Sequence, residues 1–200
     1  VCINRKNDIW PKDKFEIKYQ YNNKNCHVEY NIPRYLDKDW ATFLGFYTGN
    51  GLLKINNRVV ITTGKQYSDI IEYQKNLYIK LFGKYKEVFD KKGNSNITLY
   101  SVHVRDFLNF LGLFVHPETK EIPWIIMHER KEIVAKFLSG LLEADGSVDK
   151  IDSIEFTSEF EEMIKQVQIL LLNFGIISTK SKKYNKKYDK YYYRLYIGGY

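Results

Sequence analysis

Apolar and polar positions change period several times along the chain, and the changes mark its elements. Residues 15–21 and 27–32 alternate apolar and polar side chains on either side of a polar stretch at 22–25, which predicts a hairpin or two short strands. Pro33 ends that region. Asp37 or Asp39 can then cap a helix over residues 40–48 that closes on the turn signal Gly49-Asn50-Gly51. Strand-like runs at 52–56 and 58–63 precede a helical stretch at 67–82, whose apolar positions are Ile70, Ile71, Leu77, Ile79 and Leu81. Strands at 85–89 and 97–102 flank a loop at 91–96, and a short helix at 104–113 completes an αββαββα unit.

After a connector at 114–130 the order begins again. A helix at 132–143 closes on Ala144-Asp145-Gly146, followed by a strand at 153–157, a helix at 160–174 and strands at 177–182 and 188–197. Gly51 and Gly146 are 95 residues apart, and so are Thr62 and Thr157. A fixed offset of this kind predicts a duplicated unit. The expected fold is α+β: two pseudo-symmetric αββαββα halves with antiparallel sheets, at residues 37–126 and 127–200, behind a strand-rich arm or linker at 1–36. The second copy lacks its last helix and the first residue is not Met, so the expectation is a second half truncated at its C-terminus and a chain cut from something longer.

The first helix of each copy carries small residues four apart, Gly45 with Gly49 and Gly140 with Ala144. Residues at i and i+4 share a face, and small ones there let two backbones approach closely. If these faces pack together, Asn50 and Asp145 meet at the negative C-terminal poles of both helices. A carboxylate there is disfavoured by the dipoles and, at Asp145, by nearby Glu143. A hard divalent cation relieves that repulsion, because it takes oxygen ligands from one or two carboxylates with water and phosphate.

Composition adds a partner. The chain has 31 Lys plus Arg against 24 Asp plus Glu, a formal charge of +7, and 17 tyrosines. The charge is uneven: residues 1–36 and 37–126 are each +3, 127–176 are −5 and 177–200 are +6. The last segment holds seven of the tyrosines. Ammonium groups that neutralise phosphates release counterions, and tyrosine adds hydroxyl donors, so a Lys/Tyr ribbon suits a polyanion. The same ribbon also fits a solvated hairpin with Lys guarding an exposed edge. No run approaches the roughly 20 apolar residues of a membrane span. Cys2 and Cys26 are too few for a disulfide scaffold and point to a reducing, cytoplasmic setting. His27, His103, His116 and His128 lack metal-ligand spacing, and there is no glycine-rich phosphate loop or nucleophile elbow.

Phe43-Leu44-Gly45-Phe46-Tyr47-Thr48-Gly49-Asn50-Gly51 and Leu138-Ser139-Gly140-Leu141-Leu142-Glu143-Ala144-Asp145-Gly146 resemble the paired motifs of LAGLIDADG homing endonucleases. Glu121-Ile122-Pro123 before the second motif and the run from Val167 to Ile176 after it are similar to endonuclease domains of inteins. The resemblance covers roughly residues 37–200. Intein self-splicing features are absent from both ends: position 1 is neither Cys nor Ser, and there is no terminal His-Asn.

The resemblance implies saddle-shaped sheets on double-stranded DNA with a long recognition site, a monomer with an internal pseudo-dyad, and Mg²⁺ or Mn²⁺ at the motif ends. Asp145 would be catalytic and a metal ligand, with the Ala144 carbonyl and its counterpart at Gly49 as further ligands. Asn50 stands where the first acid is expected, and an amide brings a neutral oxygen only. Lys65 would serve as the basic residue of the first half. In the second half Glu159 stands where that base belongs, leaving Lys182 or Lys180 to reach in. Alternation sends Val59, Ile61, Ile154 and Phe156 toward the helices and Arg58, Glu155, Tyr192, Arg194 and Tyr196 toward the groove. Lys54, Lys180 and Lys183 join Arg58, Tyr192, Arg194 and Tyr196 as candidate DNA contacts. The alternatives are a catalytically dead nucleic-acid-binding protein on the same fold, such as a maturase or regulator, and a protein-interaction module whose basic ribbon only solubilises it.

Overall fold

The computed structural model describes residues 9–21, 30–54, 57–113, 120–148 and 153–198, with the backbone alone at 52–54. Helix α1 (Lys38–Asn50) starts where the Asp37 carboxylate accepts the Trp40 N–H at 2.8 Å. It runs into β1 (Gly51–Lys54) and β2 (Arg58–Thr63). Helix α2 (Ser68–Phe82) ends at Gly83, whose φ of 70° closes the helix at no Cβ cost. Strands β3 (Lys86–Phe89) and β4 (Ser95–Tyr100) follow, then α3 (Val102–Phe110), capped by Ser101. A 3₁₀ helix (Trp124–His128) leads to α4 (Lys131–Asp145), β5 (Gly146–Val148), β6 (Ile154–Ser158), α5 (Glu161–Asn173), β7 (Thr179–Asn185) and β8 (Lys190–Ile197).

The two halves share one topology. One antiparallel sheet has the order β1-β2-β4-β3 and the other β5-β6-β8-β7. Gly51 pairs with Ile61 in the first and Gly146 with Phe156 in the second, which preserves the 95-residue offset in the strand register. α3 has no counterpart among the described residues after β8.

Each sheet buries one face. Val59, Ile61, Ile97 and Leu99 from the first, and Phe156 and Leu195 from the second, enter a single core with α1 to α5. The first half is packed with aromatic rings, Trp40, Phe43 and Phe82 meeting edge-on at 5.3–5.7 Å. The second half relies on aliphatic side chains, Met163, Ile164, Val167 and Leu170. Along the α1–α4 seam the small residues are obligatory: a Cβ on Gly45 would lie 2.2 Å from the Phe137 carbonyl oxygen, and one on Gly140 would lie 2.4 Å from that of Thr42.

The N-terminal region differs from the alternation-based expectation. The expected hairpin partner at 27–29 lies outside the described residues, and among the rest of 9–36 the pairing is a single bridge, Glu16 with Tyr35, plus the Ile17 N–H donating to the Arg34 carbonyl at 2.8 Å. The segment instead inserts aromatic rings into both halves. Trp10 meets Phe174 beyond α5 at 4.7 Å, Phe15 meets Trp124 and His128 of the 3₁₀ helix, and Tyr19 meets Phe107 and Phe110 of α3. The alternation therefore reflects side chains packed on one side of an extended strap, not a ladder. Phe15→Ala, which removes a half-buried ring from this strap, is expected to cost about 2 kcal/mol in urea unfolding.

The histidines are accounted for by packing where they are described. His103 is buried and its Nδ1 accepts the Tyr30 N–H at 3.0 Å, while His128 stacks on Phe15. Cys2, Cys26, His27 and His116 lie outside the described residues.

Candidate nucleic-acid interface and motif centre

The close approach of α1 and α4 brings Gly49, Asn50, Ala144 and Asp145 to one end of the seam. A Cβ on Gly49 would lie 2.4 Å from the Ala144 methyl and 3.4 Å from an Asp145 carboxylate oxygen. The Asn50 side-chain N–H donates to the Ala144 carbonyl at 3.0 Å, across the pseudo-dyad. Strands β1 and β5 start one residue further on, so the inner edges of both sheets flank this point.

Lys120, from the connector before the 3₁₀ helix, also reaches the centre: its ammonium donates to the Gly49 carbonyl. Burial pushes the Lys120 pKa down, and the Asp145 carboxylate opposes that fall. Burial raises the Asp145 pKa, with Lys120 acting in the other direction. The Asp145 carboxylate makes no hydrogen bond or direct ion pair among the described residues. Glu143 is exposed, and Asp145, at the seam, is half-buried.

This donor set fits one hard cation and not two. Asp145 is a largely desolvated anion without a direct partner, at the negative poles of two helices, and it wants positive charge. On the other side Asn50 is neutral, and both helix-end carbonyls already accept hydrogen bonds. Among the described residues no three acidic, histidine or cysteine side chains cluster as a metal site, so any ion here leans on Asp145 and on ligands from outside the motif.

The two lysines expected as bases make other contacts. Lys65 lies exposed after β2 with its aliphatic chain 3.3 Å from where a Gly93 Cβ would be, on the β3–β4 turn. Lys182 sits 4.2 Å above the Tyr191 ring and 5.4 Å above that of Tyr193. Neither makes a hydrogen bond or ion pair with the four motif residues. Lys180 pairs with Glu161 at 2.8 Å. Cross-strand register explains this: Lys180 opposes Leu195 and Lys182 opposes Tyr193, and Leu195 is core, so both lysines leave the sheet on its helix side.

The open faces carry a different set. On the first sheet Arg58 lies 5.3 Å above the Tyr100 ring beside Thr98 and Asn96, around a hollow of about 160 Å³. Lys54 opposes Arg58 in register; its side chain lies outside the described set. On the second sheet Lys183, Tyr192, Arg194 and Thr157 line a groove of about 560 Å³. Arg194 contacts the Glu155 carboxylate and the Tyr196 hydroxyl, both at 3.4 Å. Lys190 pairs with Glu159 at 2.9 Å, and the Tyr192 hydroxyl donates to the same carboxylate at 3.1 Å. The β7–β8 ribbon runs beyond the end of β6, which stops at the Ser158–Tyr193 pair.

Comparison with known proteins agrees with this architecture. Residues 132–200 match the LAGLIDADG-like domain family model. The uncharacterized protein MJ1054 of Methanocaldococcus jannaschii is 27% identical over 215 residues, covering 98% of this chain and 24% of that protein. The replication factor C small subunit of the same organism is 30% identical over 214 residues, covering 98% and 11%. Its probable translation initiation factor IF-2 is 32% identical over 183 residues, covering 84% and 15%. The chain thus spans no more than a quarter of the length of these relatives. Among solved structures, I-DmoI in complex with DNA and Mn superposes with a TM-score of 0.61 at 19% identity, covering 80% of this chain and 89% of that one. The N-terminal LAGLIDADG domain of WhiA gives 0.53 at 18%, covering 81% and 75%. These two likenesses concern the fold. With two repeated halves joined along a glycine seam, the chain has the LAGLIDADG fold, and its second half matches the LAGLIDADG-like domain model.

Proposed function

We propose that the protein is a site-specific double-stranded DNA endonuclease of the homing type, using Mg²⁺ or Mn²⁺, with its cleavage biased to one strand. The observation that carries this reading is the asymmetry of the motif centre: a half-buried, directly unpartnered carboxylate at Asp145 opposite a neutral amide at Asn50. The solved homing endonuclease with the same fold was crystallised with DNA and Mn, and the open sheet faces here offer Arg58, Lys183 and Arg194 to a duplex. An internal pseudo-dyad lets one chain face both strands, which suits a monomer on a long site. Matching segments lie inside proteins as different as a replication factor and a translation factor, which supports carriage as an inserted, intein-type element. No helix among the described residues is long and apolar enough to cross a membrane.

In this reading Asp145 would hold the ion, which would activate water and stabilise the leaving oxygen, while the Gly49 and Ala144 carbonyls expected as further ligands already accept from Lys120 and Asn50. The chain's own work is to place the phosphate. The glycine seam sets the separation of the two motif ends, and the sheets fix the duplex register above them. Lys183, Lys186 and Lys187 have no acidic partner among the described residues, unlike Lys180 and Lys190, and are free to neutralise phosphates. Replacing all three by alanine is expected to lower the slope of log affinity against log salt by about 2–3, at roughly 0.9 per lost contact, equally for all sequences. A salt titration of duplex binding checks this.

The decisive experiment selects a bound duplex, places it in a supercoiled plasmid and adds Mg²⁺. Open circles are expected from this chain, and Asn50→Asp is assayed beside it. If neither form cuts either strand of a site it binds, the enzyme reading fails. A catalytically inactive DNA-binding protein, the second reading, would then stand. That reading is favoured by the two hydrogen bonds that occupy the Gly49 and Ala144 carbonyls.

A further inference from the structure

We propose that Lys120 is the resident cation of the α1–α4 seam: its ammonium takes, at the Gly49 carbonyl, the place of a second divalent ion. The centre then holds a single divalent ion, on Asp145, whether residue 50 is Asn or Asp. This rests on the metal-using reading above and specifies its stoichiometry.

The pseudo-dyad relates Gly49 to Ala144 and Asn50 to Asp145. The Ala144 carbonyl is satisfied by the Asn50 amide. The dyad-related bond would need Asp145 to donate to the Gly49 carbonyl, which an ionised carboxylate cannot do. Two acceptors therefore face each other on that side, at a helix C-terminus, and a cation must lie near them. Lys120 supplies it, donating to the Gly49 oxygen and attracting Asp145. Other acids near Lys120 are engaged elsewhere. In the cavity of about 210 Å³ that it lines, Glu159 pairs with Lys190, Glu161 with Lys180, Glu162 with Lys165, and Glu121 accepts from Gln166. Asp145 is thus its electrostatic partner. An ammonium fixed there repels a divalent ion arriving at the Asn50 side, and that repulsion persists if Asn50 becomes Asp.

The test counts Mn²⁺ bound to the full chain without DNA, by electron paramagnetic resonance, so it is independent of cleavage. One ion is expected for the unaltered chain and for Asn50→Asp, and two for Asn50→Asp combined with Lys120→Gln. Lys120→Gln keeps a donor for the Gly49 carbonyl while removing the charge, and it should raise Mn²⁺ affinity about tenfold, the Coulomb effect of one charge a few ångströms away in high dielectric. Lys120→Arg, which keeps the charge, should leave count and affinity unchanged and guards against a folding artefact. A second ion in Asn50→Asp with Lys120 present overturns the proposal, as does an unchanged affinity in Lys120→Gln or a count of zero in every variant. Expected counts without any nicking of a bound plasmid would instead sink the endonuclease reading and leave this one intact.

Discussion

Gly45→Ala is expected to destabilise the protein by about 3 kcal/mol, the upper part of the range for overpacking a rigid site. The added methyl would sit 2.2 Å from the Phe137 carbonyl oxygen and 2.8 Å from the Leu141 nitrogen. Both are backbone atoms inside α4, so relief requires the two motif helices to separate. That movement would also open the core, because α1 is buried along nearly its whole length. Gly140→Ala meets the Thr42 carbonyl at 2.4 Å and should cost a similar amount. Gly49→Ala is different in kind, since its obstacle is the Ala144 methyl at 2.4 Å. Adding Ala144→Gly should therefore recover most of its loss, whereas no single side-chain truncation can rescue Gly45→Ala. Gly198→Ala, with Ser153 at an ordinary 3.4 Å, is the control expected within about 0.5 kcal/mol of the parent, as for most surface substitutions. Urea midpoints at constant m-value measure all five variants. A Gly45→Ala protein as stable as the control would mean the helices do not pack this closely.

Those glycines are legible in the sequence because small residues four apart, repeated at a constant offset, are what a close contact between two equivalent helices requires. The same holds for the sheets: Val59, Ile61 and Phe156 point inward as alternation predicts, and Arg58, Glu155, Tyr192, Arg194 and Tyr196 fall on the open faces. What alternation cannot supply is parity between strands that are distant in sequence. Nothing in residues 177–185 says whether Lys182 or Lys183 shares a face with Arg194. The register, Ser181 against Arg194, decides that Lys183 does and Lys182 does not. Lys120 is illegible for a stronger reason. It lies in a connector with no periodicity, and its importance comes from a carbonyl 71 residues away that it meets only after the seam has formed. The aromatic strap formed by Trp10, Phe15 and Tyr19 misleads for a related reason, because extended chain packed by alternate side chains reads like a strand whether or not its backbone finds a partner.

Asp145→Asn is expected to lower cleavage by about 10³-fold, since losing the anchoring anion forfeits several kcal/mol of transition-state stabilisation. DNA affinity at constant salt should change little, because the lysines proposed to neutralise phosphates lie on the β7–β8 ribbon and not at the seam. Stability should respond with a definite sign. Burial raises the Asp145 pKa above the ordinary 3.8, so the folded state holds this proton more tightly than the unfolded one. The resulting stabilisation is fully present below the ordinary value and is lost as pH rises through the raised one. Asp145→Asn has no such proton to lose and should show a flatter stability profile across that window, measured by thermal unfolding at low ionic strength without metal. Asn50→Asp works in the opposite sense: it places a second acid beside the first and should make stability fall further with rising pH. A chain in which Asp145→Asn cuts as well as the parent would remove the chemistry from the motif ends altogether.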